Sequence, residues 1–282
     1  MKILYSALCC LFLSGGLIAQ QSPEDPEEVY RVNRWASAGI GLGGMLISGI
    51  GIESLRDKDR FTATELAGLR SEDVPRFDRW ALSRDLEKRE SAEEASDLVF
   101  NGAVLLPFTL LFDKRIRKNA LDIGLIYLEA QAFSSNAYAW SPLGPRFNNR
   151  VRPVAYYEDV DFGLRSQGNS RNSFFSGHAN TTALGTFFFA KVLSDYNPQW
   201  NGRQRALLFG AAALPPIYVS WQRVRALKHF PSDTVMGLAV GAFFGIMTPQ
   251  VHKNWAKKHR THLSITGGYT ADVGGAGFTL TF

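Results

Sequence analysis

The chain has 282 residues, a formal net charge of +5 and a hydrophobic content of 45%. This length is sufficient for one sizeable domain, and no internal repeat or low-complexity block indicates a second one. The sequence contains no Walker loop, zinc-ligand spacing or dinucleotide fingerprint, and no basic face with interleaved aromatic residues. Nucleic acid is therefore excluded as a partner, and the positive charge near helix ends fits anionic lipid headgroups better.

The N-terminal segment has the pattern of a secretory signal. Residues 1–20 place one lysine before an apolar run, and the charged, proline-containing segment 21–34 predicts a linker. Both cysteines, Cys9 and Cys10, fall in the predicted signal, so the mature chain would contain no disulfide. This pattern indicates the bacterial cell envelope.

Residues 35–260 are predicted to form the main domain, with a core over residues 98–250. Its first apolar stretch, 35–52, is rich in glycine, which allows close helix packing in a membrane. Cleavage of a signal would leave the mature N-terminus outside the membrane, so this stretch could not make a simple single crossing. It would be re-entrant, interfacial or not embedded in the membrane. The charged segment 54–97 follows and predicts an exposed helical hairpin.

An all-α helical bundle is predicted from the apolar segments that follow. Most of their uncharged stretches are about 15 residues long, shorter than the ~20 that a bilayer span usually needs, so a soluble bundle remains open. Basic residues at 113–118 and 252–262 favour a membrane-associated bundle with these joints on the cytoplasmic side. The predicted helices cover residues 98–112, 120–140, 179–193, 206–221 and 234–248.

The C-terminal segment departs from the helical pattern. Its basic part contains His252, His259 and His262, which we interpret as a solvated or headgroup-facing tail. Residues 261–282 alternate apolar and polar positions on either side of a glycine-rich stretch, which predicts a small β-hairpin with a packing role.

Two histidines about fifty residues apart are the main indication of the chemistry that this chain performs. His178 follows Ser176-Gly177, and His229 lies in the pattern Arg223-x5-His-x3-Asp233. Arginine suits oxyanion binding because its planar fork donates to two oxygens and stays charged. Histidine either attacks phosphorus or donates a proton near neutrality. Pro231 favours the first turn of a helix, so the carboxylate of Asp233 would lie one turn in and face back to orient His229.

These residues resemble the type 2 phosphatidic acid phosphatases, which share their site with class A bacterial acid phosphatases and vanadium haloperoxidases. The family pattern has three blocks: Lys-x6-Arg-Pro, Pro-Ser-Gly-His and Ser-Arg-x5-His-x3-Asp. The chain contains most of each block, in the family's order, over residues 98 to 250. The matching positions are Arg152-Pro153, Ser176-Gly177-His178, Arg223, His229 and Asp233.

The resemblance implies a role for each residue. His229 would attack phosphorus to give a phosphohistidine, Asp233 would hold its ring, and His178 would protonate the leaving oxygen. Arg152 and Arg223 would clamp the phosphoryl group. Ser176 and the backbone N–H of Gly177 would add donors at a helix N-terminus. No metal and no cofactor is implied.

Three positions depart from the family pattern. Pro145 stands where the family has lysine, and we predict that Arg146 replaces that cation. Phe175 replaces the proline before Ser-Gly-His, and Gln222 replaces the serine before arginine. Two roles remain open for Arg150: a third phosphate contact, or a surface partner for Asp159 or Asp161.

The leading hypothesis is a metal-independent phosphatase that acts on phosphomonoesters or pyrophosphates of lipids. Its site would face the periplasm from the membrane. The alternatives are a soluble periplasmic acid phosphatase of broad specificity and a catalytically degenerate envelope protein of the same fold. The sequence does not define the substrate or the oligomeric state.

Overall fold

The computed structural model describes residues 29–259 and the backbone of residues 262–270 and 273–281. The predicted signal over residues 1–20 and most of the predicted linker lie outside the described residues. The helices are α1 Arg34–Ser54, α2 Ala63–Ala67, α3 Arg89–Leu105, α4 Lys114–Lys118, α5 Ala120–Trp140, α6 Phe162–Arg165, α7 Gly177–Asp195, α8 Gly202–Arg225 and α9 Pro231–Lys258. Short 3-10 helices cover Ser71–Asp73, Arg79–Ser83, Leu106–Phe112, Pro153–Tyr156 and Gly168–Arg171.

The prediction of a helical bundle is confirmed, and local signals explain where its helices begin. Ser176 caps α7, and Asn201 caps α8 in a reciprocal capping box with Gln204. Pro231 is the first residue of α9, where its missing N–H costs no helical hydrogen bond. All five predicted apolar segments are helical, although most of these helices extend beyond the predicted bounds.

Helix α7 is the centre of the bundle, and most of its residues are buried. It packs against α9, α8 and α3, while α1 packs along α5. The close packing of α9 on α7 depends on glycines spaced four residues apart, which lie one above another on one helix face. A Cβ at Gly237 would lie 2.4 Å from the carbonyl oxygen of Ser176, and one at Gly241 would lie 1.9 Å from that of Asn180.

Gly241→Ala is expected to destabilise the fold by about 1–3 kcal/mol, the range for an overpacked core position. The added methyl cannot fit unless α9 moves away from α7. Gly210→Ala on α8 is the matched control, since a Cβ there meets nothing within 4 Å and alanine is the better helix former. Thermal unfolding in detergent measures both variants, and equal stability of the two would contradict this packing.

The prediction of a helical hairpin over residues 54–97 is wrong. This segment contains only α2 and two short 3-10 helices before α3 begins at Arg89. Its apolar residues serve as local anchors: Trp80 stacks on Trp221 with ring centroids 5.6 Å apart, and Phe61 and Leu66 are buried. The segment therefore covers the end of the bundle as packed loops.

Three described helices are long and apolar enough to cross a membrane: Arg34–Ser54, Arg89–Phe112 and Pro231–Lys258. Many large apolar side chains on these helices are exposed, including Leu46 at 72% and Leu98 at 74%. Exposed apolar surface of this extent is typical of membrane association. Helix α1 is an unbroken helix of 21 residues.

The end of the bundle that holds the C-terminus of α7 carries a buried polar network. Asp195 accepts hydrogen bonds from Tyr30, at 2.8 Å, and from Lys253, at 2.7 Å. The interpretation of His252 as part of a solvated tail is wrong, because it is only 8% exposed and its Nε2 lies 2.8 Å from Glu129. Buried charges need such partners, and here they fix the start of α1 against α9.

Beyond α9 the backbone forms two antiparallel strands, β1 His262–Thr270 and β2 Val273–Thr281. In their register His262 lies opposite Thr281 and Thr270 opposite Val273. The packing role of a hairpin over residues 261–282 stays a prediction.

Candidate active site

The turn after α8 places a predicted cation and the predicted nucleophile within a few residues of each other. Leu227 adopts a positive φ of 58°. The N–H of Leu227 donates to the carbonyl of Val224, and that of Lys228 donates to the carbonyl of Arg223, each at 3.1 Å. This is the Schellman arrangement, which ordinarily uses glycine at the left-handed position. A non-glycine residue in this conformation costs of order 1–3 kcal/mol, and Leu227 is fully buried.

His229 is buried, with 2% of its surface exposed. Its Nδ1 lies 2.6 Å from the carbonyl oxygen of Ser173, and a carbonyl only accepts hydrogen bonds. Nδ1 therefore carries the proton, and Nε2 keeps its lone pair. Burial lowers the pKa of His229 well below its ordinary value, and the nearby Arg152 and Arg223 lower it further. The imidazole is thus held neutral in the geometry that a nucleophile requires.

Asp233 lies at the start of α9, as predicted, but does not hold the His229 ring directly. The nearest distance from its carboxylate to His229 Nδ1 is 3.9 Å. Its Oδ2 accepts from the Ser173 hydroxyl at 2.6 Å and from the Phe230 N–H at 2.7 Å. Asp233 therefore fixes the Ser173 segment, and the Ser173 carbonyl orients His229. The expected direct contact is replaced by this two-step arrangement.

Arg150 has neither of the two roles that the sequence left open. Its guanidinium lies 2.5 Å from Asp78 Oδ2 and 2.5 Å from Asp233 Oδ1, and it donates to Ser232 Oγ at 2.7 Å. Both carboxylates are buried, so breaking either pair would leave an uncompensated charge. Arg150 therefore stabilises these two buried carboxylates behind the site.

The N-terminus of α7 lies beside that of α9. The Ser176 N–H donates to the carbonyl of Asp233 at 2.9 Å, and the Ser176 hydroxyl accepts from the Ala179 N–H at 3.4 Å. Gly177 is the first residue of α7, and a Cβ there would lie 3.5 Å from the ring of Tyr138. Two helix N-termini at one point give a positive potential that favours an anion.

His178 projects from the first turn of α7 towards α3. Its Nε2 lies 3.1 Å from Asp97 Oδ1, and its ring lies against Phe100 with centroids 4.6 Å apart. About a third of the side chain is exposed. Burial, with Arg223 and Arg152 nearby, lowers the pKa of His178 to about 3. His178 is thus held neutral by burial and by the cations around it.

Both predicted arginine clamps lie at this end of the bundle. Arg223 is 4% exposed; its Nη1 lies 3.3 Å from Ser96 Oγ and 3.4 Å from Asp97 Oδ1. Within the described residues its Nε is a buried donor with no partner. The guanidinium of Arg152 makes, in the part of the chain that the structure describes, only long hydrogen bonds of 3.3–3.4 Å to Asn169 and to the carbonyl of Asn172. Neither guanidinium is saturated by a close carboxylate, so both retain donors for an oxyanion.

Arg146 does not join these residues. Its Nη1 donates to Ser54 Oγ at 2.7 Å, and its guanidinium lies 4.4 Å from the ring centroid of Trp140. The prediction that Arg146 replaces the family lysine is therefore not supported by its position. The other two departures are local: Phe175 is buried and packs edge-on against Tyr138, and Gln222 donates to the Tyr218 hydroxyl at 2.8 Å.

The sequence comparison with protein families gives one match. The model of the PAP2 superfamily matches residues 119–257, which include His178, His229, Asp233 and both arginines of the cluster. Residues 119–257 belong to the PAP2 superfamily. Membership implies phosphatase activity on phosphoesters. No curated protein and no solved structure matches the chain.

Sequence reasoning missed three residues at the site of this PAP2 domain. Helix α3, which lies before the matched segment, contributes Asp97 beside His178 and Glu93, whose Oε1 lies 2.8 Å from Lys228 Nζ. Glu93 and Asp97 could have been found from their spacing. They are four residues apart near the start of an apolar helix, and this spacing places both carboxylates on one helix face. Lys228 stands directly before the predicted nucleophile, and that position gave no signal by itself.

Proposed function

We propose that this protein is a metal-independent phosphatase that hydrolyses phosphomonoesters or pyrophosphates of lipids through a phosphohistidine at His229. The observation that carries the proposal is the state of His229: it is buried, its Nδ1–H is fixed by the Ser173 carbonyl, and its Nε2 has no hydrogen-bond partner among the described residues. A histidine that served only the core would be expected to use both ring nitrogens. We take the domain to extend over residues 35–260.

The phosphoryl group is bound by cationic side chains in this proposal. Arg152 and Arg223 donate to its non-bridging oxygens, and the unpartnered Nε of Arg223 gains an acceptor. Ser176 and the Gly177 N–H add donors at the N-terminus of α7. Side chains of fixed charge thereby supply the electrostatic stabilisation that metal ions supply in other phosphatases.

The reaction has two steps. His229 Nε2 forms a bond to phosphorus as the bond from phosphorus to the leaving oxygen breaks, and His178 gives its proton to that oxygen. Water then attacks the phosphohistidine, His178 accepts a proton from the water, and the bond from Nε2 to phosphorus breaks to release phosphate. His229 returns to its neutral form, held by Ser173.

His178 must be protonated to begin this cycle, and the bound substrate provides the reason. Burial lowers the pKa of His178, and Arg223 and Arg152 lower it further. A phosphoryl dianion bound by Arg152 and Arg223 offsets their positive field, and Asp97 at 3.1 Å also stabilises an imidazolium. Substrate binding therefore raises the pKa of His178 towards the range in which it acts as an acid.

The distribution of charge supports a periplasmic site in the cell envelope. The basic helix Lys114–Lys118 contacts the C-terminal end of α7, where Arg115 donates to the carbonyl of Tyr196 at 2.9 Å. The proposed site lies at the other end, where α7 and α9 begin. If the basic end is cytoplasmic, the site faces the periplasm. A site at the membrane surface is suited to a lipid phosphate.

Phosphate release from detergent-purified protein tests this function. The panel contains a soluble aryl phosphate, phosphatidic acid and an isoprenyl pyrophosphate, all with a chelator present. We expect chelator-resistant release, with the lipid substrates preferred over the aryl phosphate. Preference for the soluble substrate, with extraction from membranes by salt alone, would favour the soluble acid phosphatase. Absence of release from the whole panel would favour the degenerate protein.

A further inference from the structure

Lys228 forms an ion pair within the proposed site rather than at the surface. Its Nζ lies 2.8 Å from Glu93 Oε1, and only 19% of its side chain is exposed. The Schellman turn fixes its backbone, because its N–H donates to the carbonyl of Arg223 at 3.1 Å. Burial lowers the pKa of Lys228; the Glu93 pair opposes this shift, while the charges of Arg152 and Arg223 add to it. Its ammonium is therefore held by Glu93 next to the turn that carries Arg223 and His229.

Helix α3 fixes the position of that ammonium relative to His178. Glu93 and Asp97 are four residues apart on one helix face, about 6 Å along the axis. Asp97 contacts His178 and Arg223, and Glu93 contacts Lys228. The charge of Lys228 also contributes to the lowered pKa of His178. Lys228 thus belongs to the same cluster as the proposed acid, and Arg146 does not.

We infer that Lys228 is the third cation of the phosphate site and that Glu93 holds its ammonium in place until substrate phosphate displaces the carboxylate. This inference rests on the proposed function. In this chain Pro145 stands where the family has lysine, so the missing positive charge is supplied from the residue before the nucleophile. The flexible ammonium of lysine can move from a carboxylate to a phosphoryl oxygen, because it is a compact charge with three rotatable donors.

The test compares Lys228→Gln with Arg146→Gln, Glu93→Gln and Lys88→Gln. Lys88 is the matched control, since it is a lysine directly before α3 whose side chain is 61% exposed and lies 3.3 Å from Asp85. Two quantities are measured for each: the dissociation constant of inorganic phosphate by calorimetry, and KM and kcat with an aryl phosphate. Direct phosphate binding needs no turnover.

We expect Lys228→Gln to weaken phosphate binding by about 10- to 100-fold, the range for a charge-assisted hydrogen bond. KM should rise with it, and Lys228→Arg should restore part of the loss. Glu93→Gln should tighten phosphate binding, because the competing carboxylate is removed; a merely structural pair would not give that result. Lys88→Gln should match the wild type.

Two results would overturn the inference: unchanged phosphate binding in Lys228→Gln, or a larger loss in Arg146→Gln than in Lys228→Gln. Failure of the proposed function looks different. In that case wild-type protein releases no phosphate, or His229→Ala retains turnover, while the effect of Lys228 on direct phosphate binding is still measured.

Discussion

Replacement of His229 by alanine is expected to lower kcat by at least about 10⁴-fold, because the reaction loses the group that forms the covalent intermediate. The fold should survive. Among the described residues the His229 side chain makes one hydrogen bond, to the Ser173 carbonyl, and the Ser173 hydroxyl still donates to Asp233 in the variant. KM should change far less than kcat, since Arg152 and Arg223 still bind the phosphoryl group.

His259→Ala is the control for this substitution. His259 is an exposed histidine after the end of α9, with its Nδ1 3.0 Å from the carbonyl of Trp255, and its loss should leave kcat unchanged. Steady-state phosphate release measures both variants, and thermal unfolding verifies that His229→Ala remains folded. Activity of a folded His229→Ala within 10-fold of the wild type, about 1.4 kcal/mol in the barrier, would exclude His229 as the nucleophile.

Replacement of His178 by alanine is expected to lower kcat by about 10²- to 10⁴-fold on an alkyl phosphate, the usual contribution of a positioned acid. The loss should be much smaller on a nitrophenyl phosphate, because that leaving oxygen departs without a proton. Side-chain removal should perturb the structure little, since His178 is partly exposed and contacts Asp97 and Phe100 from the surface of α7.

The dependence on the leaving group separates an acid from a phosphate ligand. If His178 only bound the phosphoryl group, both substrates would lose activity equally and KM would rise. Parallel kinetics of His178→Ala on the two substrates measure this difference. Equal losses on both would contradict the assignment of His178 as the acid.

Sequence spacing was sufficient to predict which helix ends carry the residues of the candidate site. Ser176-Gly177-His178 was predicted at a helix N-terminus, and the structure has Ser176 as the cap of α7. Pro231 was predicted at the start of a helix and is the first residue of α9. These are local signals, in which a cap residue or a missing N–H determines where a helix begins, and they do not depend on distant packing.

The errors concern contacts between segments that are far apart in sequence. Asp233 was expected to touch His229 four residues away, but Ser173, from another loop, occupies that place. Arg146 was expected at the phosphate because of its place beside Pro145, yet Trp140 and Ser54 hold its side chain elsewhere. Such outcomes depend on tertiary packing, which the spacing of residues along the chain does not encode.

His252 and the residues of α3 illustrate the same limit. A histidine in a run of lysines is predicted to be solvated. The helix continues to Lys258, however, and His252 lies on its inner face against Glu129. The sequence predicted Glu93 and Asp97 to be part of a charged surface. Because α3 lies against α8, Glu93 contacts Lys228 and Asp97 contacts Arg223. A charged residue acquires a role at a site only when another element brings it a partner.

Capture of the covalent intermediate tests the central claim most directly. Wild-type protein is mixed with a ³²P-labelled aryl phosphate, quenched within milliseconds in alkali and digested, and the labelled peptide is identified. We predict a phosphoramidate, stable in alkali and labile in acid, on the peptide that contains His229, with no label in His229→Ala. Rapid hydrolysis without any label on the protein, or label on a residue other than His229, would contradict the account.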